Sequence, residues 1–340
     1  MKKTLIVSPA WVGDMIMAQC LFKLIKQREP DTQIDILAPR STAALAKRMP
    51  EITEVFTLPL GHGDFAFNAR RRLGLQLREQ QYDHAIVTTN SWKSALTPFF
   101  ANIPLRTGWR GEWRYGLLND VRQLDKTRYP LMIERFMALG LPADATLEKP
   151  YIYPELHVNA EDINKALEKV QIEKPTQPVL ALCPGAAFGP AKRWPTAHFA
   201  KVAQEKIAEG WQVWIFGSPN EKNLAADIQA LTQNRCVDLC GRTNLVEAID
   251  LLSLADAVVS NDSGLMHIAA ALKKPLVVLY GSSSPIFTPP LADPSKMSIL
   301  SMGLDCSPCF KRTCPLGHLK CLQDLLPAKV LEALSQLQKA

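Results

Sequence analysis

Two halves of the chain share one rhythm, a short apolar run followed by a longer amphipathic stretch. That rhythm limits the fold more than any single motif does. In the first half "TLIVS" (4–8), "QIDILA" (33–38), "EVFTL" (54–58) and "HAIVTT" (84–89) have the length and β-branched content of strands. Helix-period segments at roughly 15–28, 66–80 and 130–139 lie between or after them. In the second half "VLALCP" (179–184), "QVWIFG" (212–217), "AVVSND" (257–262) and "LVVLYG" (276–281) repeat the pattern, separated by helices near 196–209, 221–231, 245–254 and 264–272. Strands this apolar, alternating with helices, imply parallel sheets covered on both faces. A stretch punctuated by Pro142, Pro150, Pro154, Pro175 and Pro178 reads as the linker. With 340 residues the chain can bury two cores. The expectation is two doubly wound domains facing a central cleft, with ligands held by strand-ending loops.

Charge and cysteine content narrow the setting. A net charge of +6 without a polybasic tract suits an anionic substrate or an anionic membrane surface, and equally an ordinary solvated surface. The apolar segment of "MKKTLIVSPAWVGD" is cut short by Pro9, Gly13 and Asp14, so it reads as a first strand and not as a signal peptide. No apolar run reaches the ~18–20 residues of a membrane-spanning helix. The expected location is therefore cytoplasmic, with the eight cysteines mostly reduced.

Chemistry is concentrated at strand ends. In "VVSNDSGLMHIAAALKKPLVVLYG" (258–281) an apolar run breaks at Asn261-Asp262-Ser263-Gly264, and a small-residue helix carrying His267 follows. Asp262 or Ser263 could simply cap that helix. Alternatively, Ser263 and Gly264 present backbone N–H groups at a helix N-terminus suited to phosphate. Hydrolysis would call for a G-x-S-x-G elbow, which neither "GLMH" nor "GSSSP" supplies. In "CPGAAFGPAKRWP" (183–195) small residues precede Lys192-Arg193. A ligand could approach the backbone closely there, and Lys192 could neutralise phosphate. Asp14, at the entry to the first helix, is either an acid favoured by the helix dipole or a general base.

Between residues 90 and 120, Lys93, Arg106, Arg110 and Arg114 interleave with Trp92, Trp109, Trp113 and Tyr115, near Arg70-Arg71-Arg72. RNA is one possible partner, though no RNA-binding signature accompanies the cluster. An acidic or phosphorylated sugar fits as well, because arginine pairs bidentately with such groups and aromatic rings stack on sugar faces. "CSPCFKRTCPLGHLKC" (306–321) holds Cys306, Cys309, Cys314 and Cys321 in a pattern that half resembles a zinc site, and these thiols could equally be plain reduced cysteines. No D-x-D pair occurs, so the charge of a leaving diphosphate would fall to Lys192 and the helix N-terminus. The residues alone imply a nucleotide-sugar-like ligand and two α/β domains.

Taken together, "WVGDMIMAQ" (11–19), "LGHG" (60–63), "NSWKSAL" (90–96), "RTGWRGEWRYGLLND" (106–120), "CPGAAFGPAKRWP" (183–195), "NDSGLMHIAAAL" (261–272) and "PLVVLYGSSSP" (275–285) resemble the ADP-heptose:lipopolysaccharide heptosyltransferases of glycosyltransferase family 9. They are nearest its heptosyltransferase II branch, and the similarity spans nearly the whole chain. The resemblance implies a GT-B fold. An acceptor-binding Rossmann-like domain would span 1–155 and an ADP-heptose-binding one 156–326, with a helix over 327–340 returning toward the first.

It also implies inverting transfer of L-glycero-D-manno-heptose to the first heptose of the inner core, by direct displacement and without a required metal. Heptosyltransferase I or another GT-B nucleotide-sugar enzyme is the alternative. By the same resemblance Asp14 is the general base and Lys192 the diphosphate ligand. Donor contacts come from Ala187, Phe188, Glu221, Thr243, Asp262, Ser263, Gly264 and His267. The related heptosyltransferase I carries a Thr-Thr pair where this chain has Ala186, Ala187 and Phe188. Lys93, Arg106, Arg110 and Arg114 are the expected acceptor contacts. The expected partners are ADP-heptose and a lipid A-core acceptor at the inner face of the cytoplasmic membrane, with no nucleic acid. The protein is expected to be a monomer peripheral to that membrane.

Overall fold

The computed structural model describes residues 1–59 and 64–339, so the "LGHG" stretch lies outside the described residues. The chain divides into two compact units, Met1–Glu155 and Leu156–Ala340.

In the first unit six strands form one sheet: β1 (Lys3–Val7), β2 (Gln33–Pro39), β3 (Glu54–Leu58), β4 (His84–Val87), β5 (Leu105–Trp109) and β6 (Asp120–Arg122). All pairings are parallel and the spatial order is β3-β2-β1-β4-β5-β6. The order reverses between β1 and β4, so the loops leaving those strands diverge and leave a crevice at their carboxyl ends. The helix Val12–Arg28 follows β1 and is buried without a break from Met15 to Phe22. It packs against the helices Arg40–Ala46 and Met132–Met137. Its one buried amide, Gln19, donates to Glu51 Oε2 (2.9 Å) and to the Glu155 carbonyl (2.8 Å), and accepts from the Glu155 N–H (2.9 Å). The last residue of the unit is thereby tied to the helix that carries Asp14.

The second unit repeats the plan with β7 (Val179–Cys183), β8 (Gln212–Ile215), β9 (Val237–Asp238), β10 (Ala257–Asn261), β11 (Leu276–Tyr280) and β12 (Met297–Ser301). Its order, β12-β11-β10-β7-β8-β9, is the first sheet's order counted from the opposite edge, and every pair is again parallel. Here the reversal falls between β7 and β10. Both strands, and β11, are buried along their whole length because helices cover both faces. Two Rossmann-like sheets thus match the GT-B expectation.

The proline-punctuated stretch holds the division between the units, after Glu155, but is not linker throughout. It contains the helix Ala160–Val170, which Asn159 caps by accepting from Asp162 N–H, and which packs against the helix Leu245–Leu252. The prolines at 154, 175 and 178 bracket this helix and do not interrupt it. The terminal helix Pro327–Leu337 buries Val330, Ala333 and Leu334 in the second unit's core, beside Leu322 and Leu325, and packs on β11, β12 and the helix Thr196–Ala208. No helix among the described residues is long and apolar enough to cross a membrane.

Because Leu334 is fully buried in that core, Leu334→Ala should cost about 2–5 kcal/mol of stability, the usual range for emptying such a site. Urea unfolding monitored by tryptophan fluorescence measures this; a loss below about 1 kcal/mol would detach the terminal helix from the core.

Candidate active site

In the second unit, the crevice between the carboxyl ends of β7 and β10 is organised by one amide. Asn261, at the end of β10, donates from Nδ2 to the Pro184 carbonyl (2.7 Å) and accepts on Oδ1 from the Trp194 N–H (3.0 Å). Both ends of the 184–194 loop are therefore pinned to the neighbouring strand. Trp194 anchors the loop further, being buried against Phe199 and donating from its indole to the Leu325 carbonyl (2.8 Å). Lys192 closes the short 3-10 turn Pro190–Lys192 inside this fixed frame.

The Lys192 ammonium lies 2.5 Å from Asp262 Oδ2, and the same oxygen accepts from the Ser283 hydroxyl. Lys192 keeps 17% of its side-chain surface and Asp262 only 5%, so the carboxylate is a buried charge held by two donors. On its other side the ammonium stands 5.1 Å from the centre of the Phe188 ring, and Arg312 lies 5.4 Å from that same ring. Asp262 is thus occupied by Lys192 and Ser283. Ser263, in extended conformation at the start of the helix Gly264–Ala271, makes no capping bond; its hydroxyl faces Ser260 instead, at 3.3 Å. No side chain caps this N-terminus from the Ser263 position, which leaves its N–H groups oriented for an anion.

His267 lies one turn along, 4% exposed, and its Nδ1 has no hydrogen-bond partner among the described residues. Burial pushes its pKa down from 6.5 to about 4, with nearby Asp262 pulling upward and Lys192 downward. The ring is therefore neutral near pH 7, a hydrogen-bonding group and not a cation. Glu221 accepts from the Ser218 N–H (2.7 Å) and hydroxyl (2.8 Å), and its carboxylate packs on the backbone of Gly185. A Cβ at residue 185 would fall 1.9 Å from Glu221 Oε1, which is why the small-residue loop begins with glycine. Ala187 is exposed and Thr243 half-buried, the latter in the loop before the helix Leu245–Leu252.

In the first unit, Asp14 sits half-buried in the first turn of the helix that follows β1, at the corresponding reversal point. The four expected acceptor cations have separate fates. Arg114 is buried, and its guanidinium donates to the carbonyls of Thr89 (2.5 Å) and Trp109 and to Asn90 Oδ1 (3.3 Å). Burial lowers its pKa to about 10. Arg106 donates to the carbonyls of Leu117 (2.7 Å) and Ile103 (2.5 Å) and lies over Phe99. Both hold their own loops together. Arg110 is exposed just beyond β5, and Lys93 lies in the turn Trp92–Ala95 after β4.

Sequence reasoning did not single out Ser283 or the bridging role of Asn261. A run of hydroxyls directly after a strand, "GSSSP", was the available signal for the first. The model of Glycosyltransferase family 9 (heptosyltransferase) matches residues 70–320. The chain belongs to glycosyltransferase family 9. Among its relatives, the lipopolysaccharide heptosyltransferase 2 of Salmonella typhimurium is 46% identical, with 98% of each chain covered. The lipooligosaccharide heptosyltransferase 2 of Haemophilus influenzae is 45% identical with the same coverage. The solved structure of Escherichia coli ADP-heptose LPS heptosyltransferase II superposes with a TM-score of 0.87 at 43% identity, covering 100% of this chain and 99% of that one. For a family 9 glycosyltransferase, the Lys192–Asp262–Ser283 network lies at the strand ends where a nucleotide ligand is expected in such sheets.

The buried histidine gives this site a pH signature. The unfolded chain takes up a proton at His267 near pH 6.5 and the folded chain only near 4. Stability from this group is thus complete above 6.5 and falls as pH drops toward 4. His84, also lowered to about 4 by burial, adds a second such slope. Melting temperature measured from neutral to acid pH should fall less steeply for His267→Asn than for the parent; equal slopes would mean the ring is not held neutral.

Proposed function

We propose that the enzyme transfers L-glycero-D-manno-heptose from ADP-heptose to the first heptose of the lipopolysaccharide inner core, with inversion at the anomeric carbon. The observation that carries this reading is the fixed Lys192 ammonium beside an uncapped helix N-terminus, in a chain 46% identical over nearly its full length to a heptosyltransferase 2.

The chemistry needs a base for the acceptor hydroxyl and a counter-charge for the departing ADP. Asp14 removes the hydroxyl proton as that oxygen attacks the anomeric carbon from the face opposite the leaving group. The carbon–oxygen bond to ADP breaks as the new bond forms. Lys192 and the N–H groups around Gly264 receive the diphosphate, without any D-x-D metal clamp. Asp262 and neutral His267 hydrogen-bond the sugar, Glu221 the adenosine ribose, Thr243 the adenine side, and the backbone at Ala187 and Phe188 lines the donor.

Arg110 and Lys93 face the acidic acceptor, while Arg106 and Arg114 shape the loops that present them. The acceptor is an amphiphile, so the enzyme works as a monomer on the inner face of the cytoplasmic membrane. Residues 1–155 carry 21 Lys and Arg against 16 Asp and Glu, and the remainder 18 against 17. Trp113 and Tyr115 are exposed in the same unit, which supports contact with an anionic surface.

A mass-spectrometric transfer assay tests the reading, with ADP-heptose and two truncated core acceptors, one ending in Kdo and one already bearing a heptose. Gain of one heptose on the second alone is expected; gain on the Kdo-ended acceptor instead would make the enzyme a heptosyltransferase I. Asp14→Asn should lose about 10²–10⁴-fold in rate while donor binding persists. Undiminished turnover would remove Asp14 from the mechanism. ADP at about 100 times its dissociation constant should stabilise the protein by roughly 2.7 kcal/mol in thermal unfolding, and UDP should not. Lys192→Ala should abolish most of that shift and slow transfer; a variant with normal ADP protection and rate would overturn the diphosphate assignment.

A further inference from the structure

The segment from Met302 to Leu319 poses a physical problem. It has no helix or strand over eighteen residues, and none of them is buried. Such long irregular stretches are uncommon in compact domains, because nothing offsets the entropy of ordering them. Yet the segment packs closely behind the donor loop. The Arg312 carbonyl accepts from Ala191 N–H (3.0 Å), and a Cβ at Gly189 would fall 2.5 Å from that carbonyl. Phe310 N–H donates to the Ser282 carbonyl (2.6 Å), and the Ser307 hydroxyl donates to the Gly281 carbonyl (2.5 Å). Met302 and Leu304 pack on the core at its start, but no apolar burial anchors the remainder, which is held by polar backbone contacts.

Its chemistry supplies a candidate. Cys306, Cys309, Cys314 and Cys321 line one small cavity together with Ala191 and Ser282. The other three sulfurs are all near enough for their charge to act on the Cys321 thiol. The backbone N–H groups of Leu319, Leu316, Gly317 and His318 converge on the Cys314 sulfur. To make this turn Gly317 adopts φ +73°, and Phe310, directly after Cys309, accepts the left-handed region at φ +55°. His318 lines the same cavity and accepts on Nδ1 from the Lys320 N–H (3.0 Å). Cys20, Cys183, Cys236 and Cys240 are buried elsewhere and do not line this cavity, whereas of the four that do, only Cys321 is buried. Among the described residues no three or more His, Cys, Asp or Glu side chains already gather around a point that an ion could occupy, so binding has to draw the thiols together.

We propose that Cys306, Cys309, Cys314 and Cys321 bind one thiophilic divalent ion of the zinc class as a tetrathiolate, which draws the two turns together and staples the segment behind the donor loop. Four soft ligands in C-x2-C-x4-C-x6-C order, from two tight turns, suit a closed structural ion. On binding, four S–H bonds give up protons to solvent and four metal–sulfur bonds form, so affinity weakens as pH falls. The role is structural and separate from transfer chemistry, so it does not depend on the donor or acceptor assigned above.

The test is metal analysis of the full-length protein purified under reducing conditions, followed by Co²⁺ titration of metal-stripped, reduced protein. About one Zn²⁺ or Fe per chain on isolation, and a tetrahedral thiolate Co²⁺ spectrum saturating at about one equivalent, are expected. Cys309→Ser with Cys314→Ser should abolish both, while Cys236→Ser should leave both intact. Should the double variant misfold, mercurial modification of the unsubstituted protein should release its metal into a colorimetric chelator at the same stoichiometry. Reduced protein that isolates without metal and gives no cobalt–thiolate band would overturn the proposal. So would a metal retained in the folded double variant, or a Cys306–Cys309 disulfide as the only product.

Discussion

The carboxamide of Asn261 is the contact on which the second unit's site depends. One side chain at the end of β10 holds both ends of the loop that leaves β7, by accepting from Trp194 N–H and donating to the Pro184 carbonyl. Asparagine is suited to this because it offers donor and acceptor on one planar group. Aspartate could not donate to Pro184, and leucine would leave two buried backbone groups unpaired at about 1–3 kcal/mol each. Once the loop is pinned, the turn Pro190–Lys192 has little freedom, and the Lys192 ammonium meets Asp262 across seventy residues of sequence.

That geometry bears on how a cation can serve a diphosphate. A lysine free in water must shed solvent and lose side-chain entropy when its ligand arrives. Here Phe188 lies beside the ammonium and Asp262 already holds it, at the cost of a buried carboxylate that Ser283 helps to satisfy. Under the proposed reaction, an incoming diphosphate therefore meets a positioned charge whose reorganisation is largely complete. In that proposed reaction Asp262 need not lose all its partners, because Ser283 would still donate to it while sugar hydroxyls took up the remaining capacity.

How far this was legible in the sequence follows from the range of each interaction. Strands β1, β2, β4, β7, β8, β10 and β11 were readable because burial on both faces writes a nearly continuous apolar run, and the half-exposed β3 through the Val55 and Phe56 of "EVFTL". Strand β5, "LRTGW", was not, since its Arg106 and Thr107 are satisfied by neighbours that only the fold brings near: Leu117, Ile103 and His84. Strands β6 and β9 have three and two residues, too short for any periodicity. The loops suited to anions were legible because strand ends rich in small residues announce themselves. Arg106, Arg110 and Arg114 looked alike in sequence, and nothing local distinguishes the exposed one from the two spent on carbonyls. That distinction is set by β4, whose end places Thr89 and Asn90 around Arg114.

The same reasoning separates two kinds of order in the second unit. Most of its chain is held by apolar burial, and the terminal helix extends that core through Val330 and Leu334. The 302–319 segment contributes no fully buried residue, yet the donor loop leans on its Arg312 carbonyl, and the loop after β11 accepts from its Phe310 N–H at Ser282. A loop positioned by polar backbone contacts alone would open readily, because each such bond nets only about 0.5–1.5 kcal/mol against water. Under the proposed tetrathiolate, an ion on the four cysteines would convert that weak backing into a fixed wall. The precision of Lys192 would then rest on Asn261 from the strand side and on the thiol-rich segment from behind.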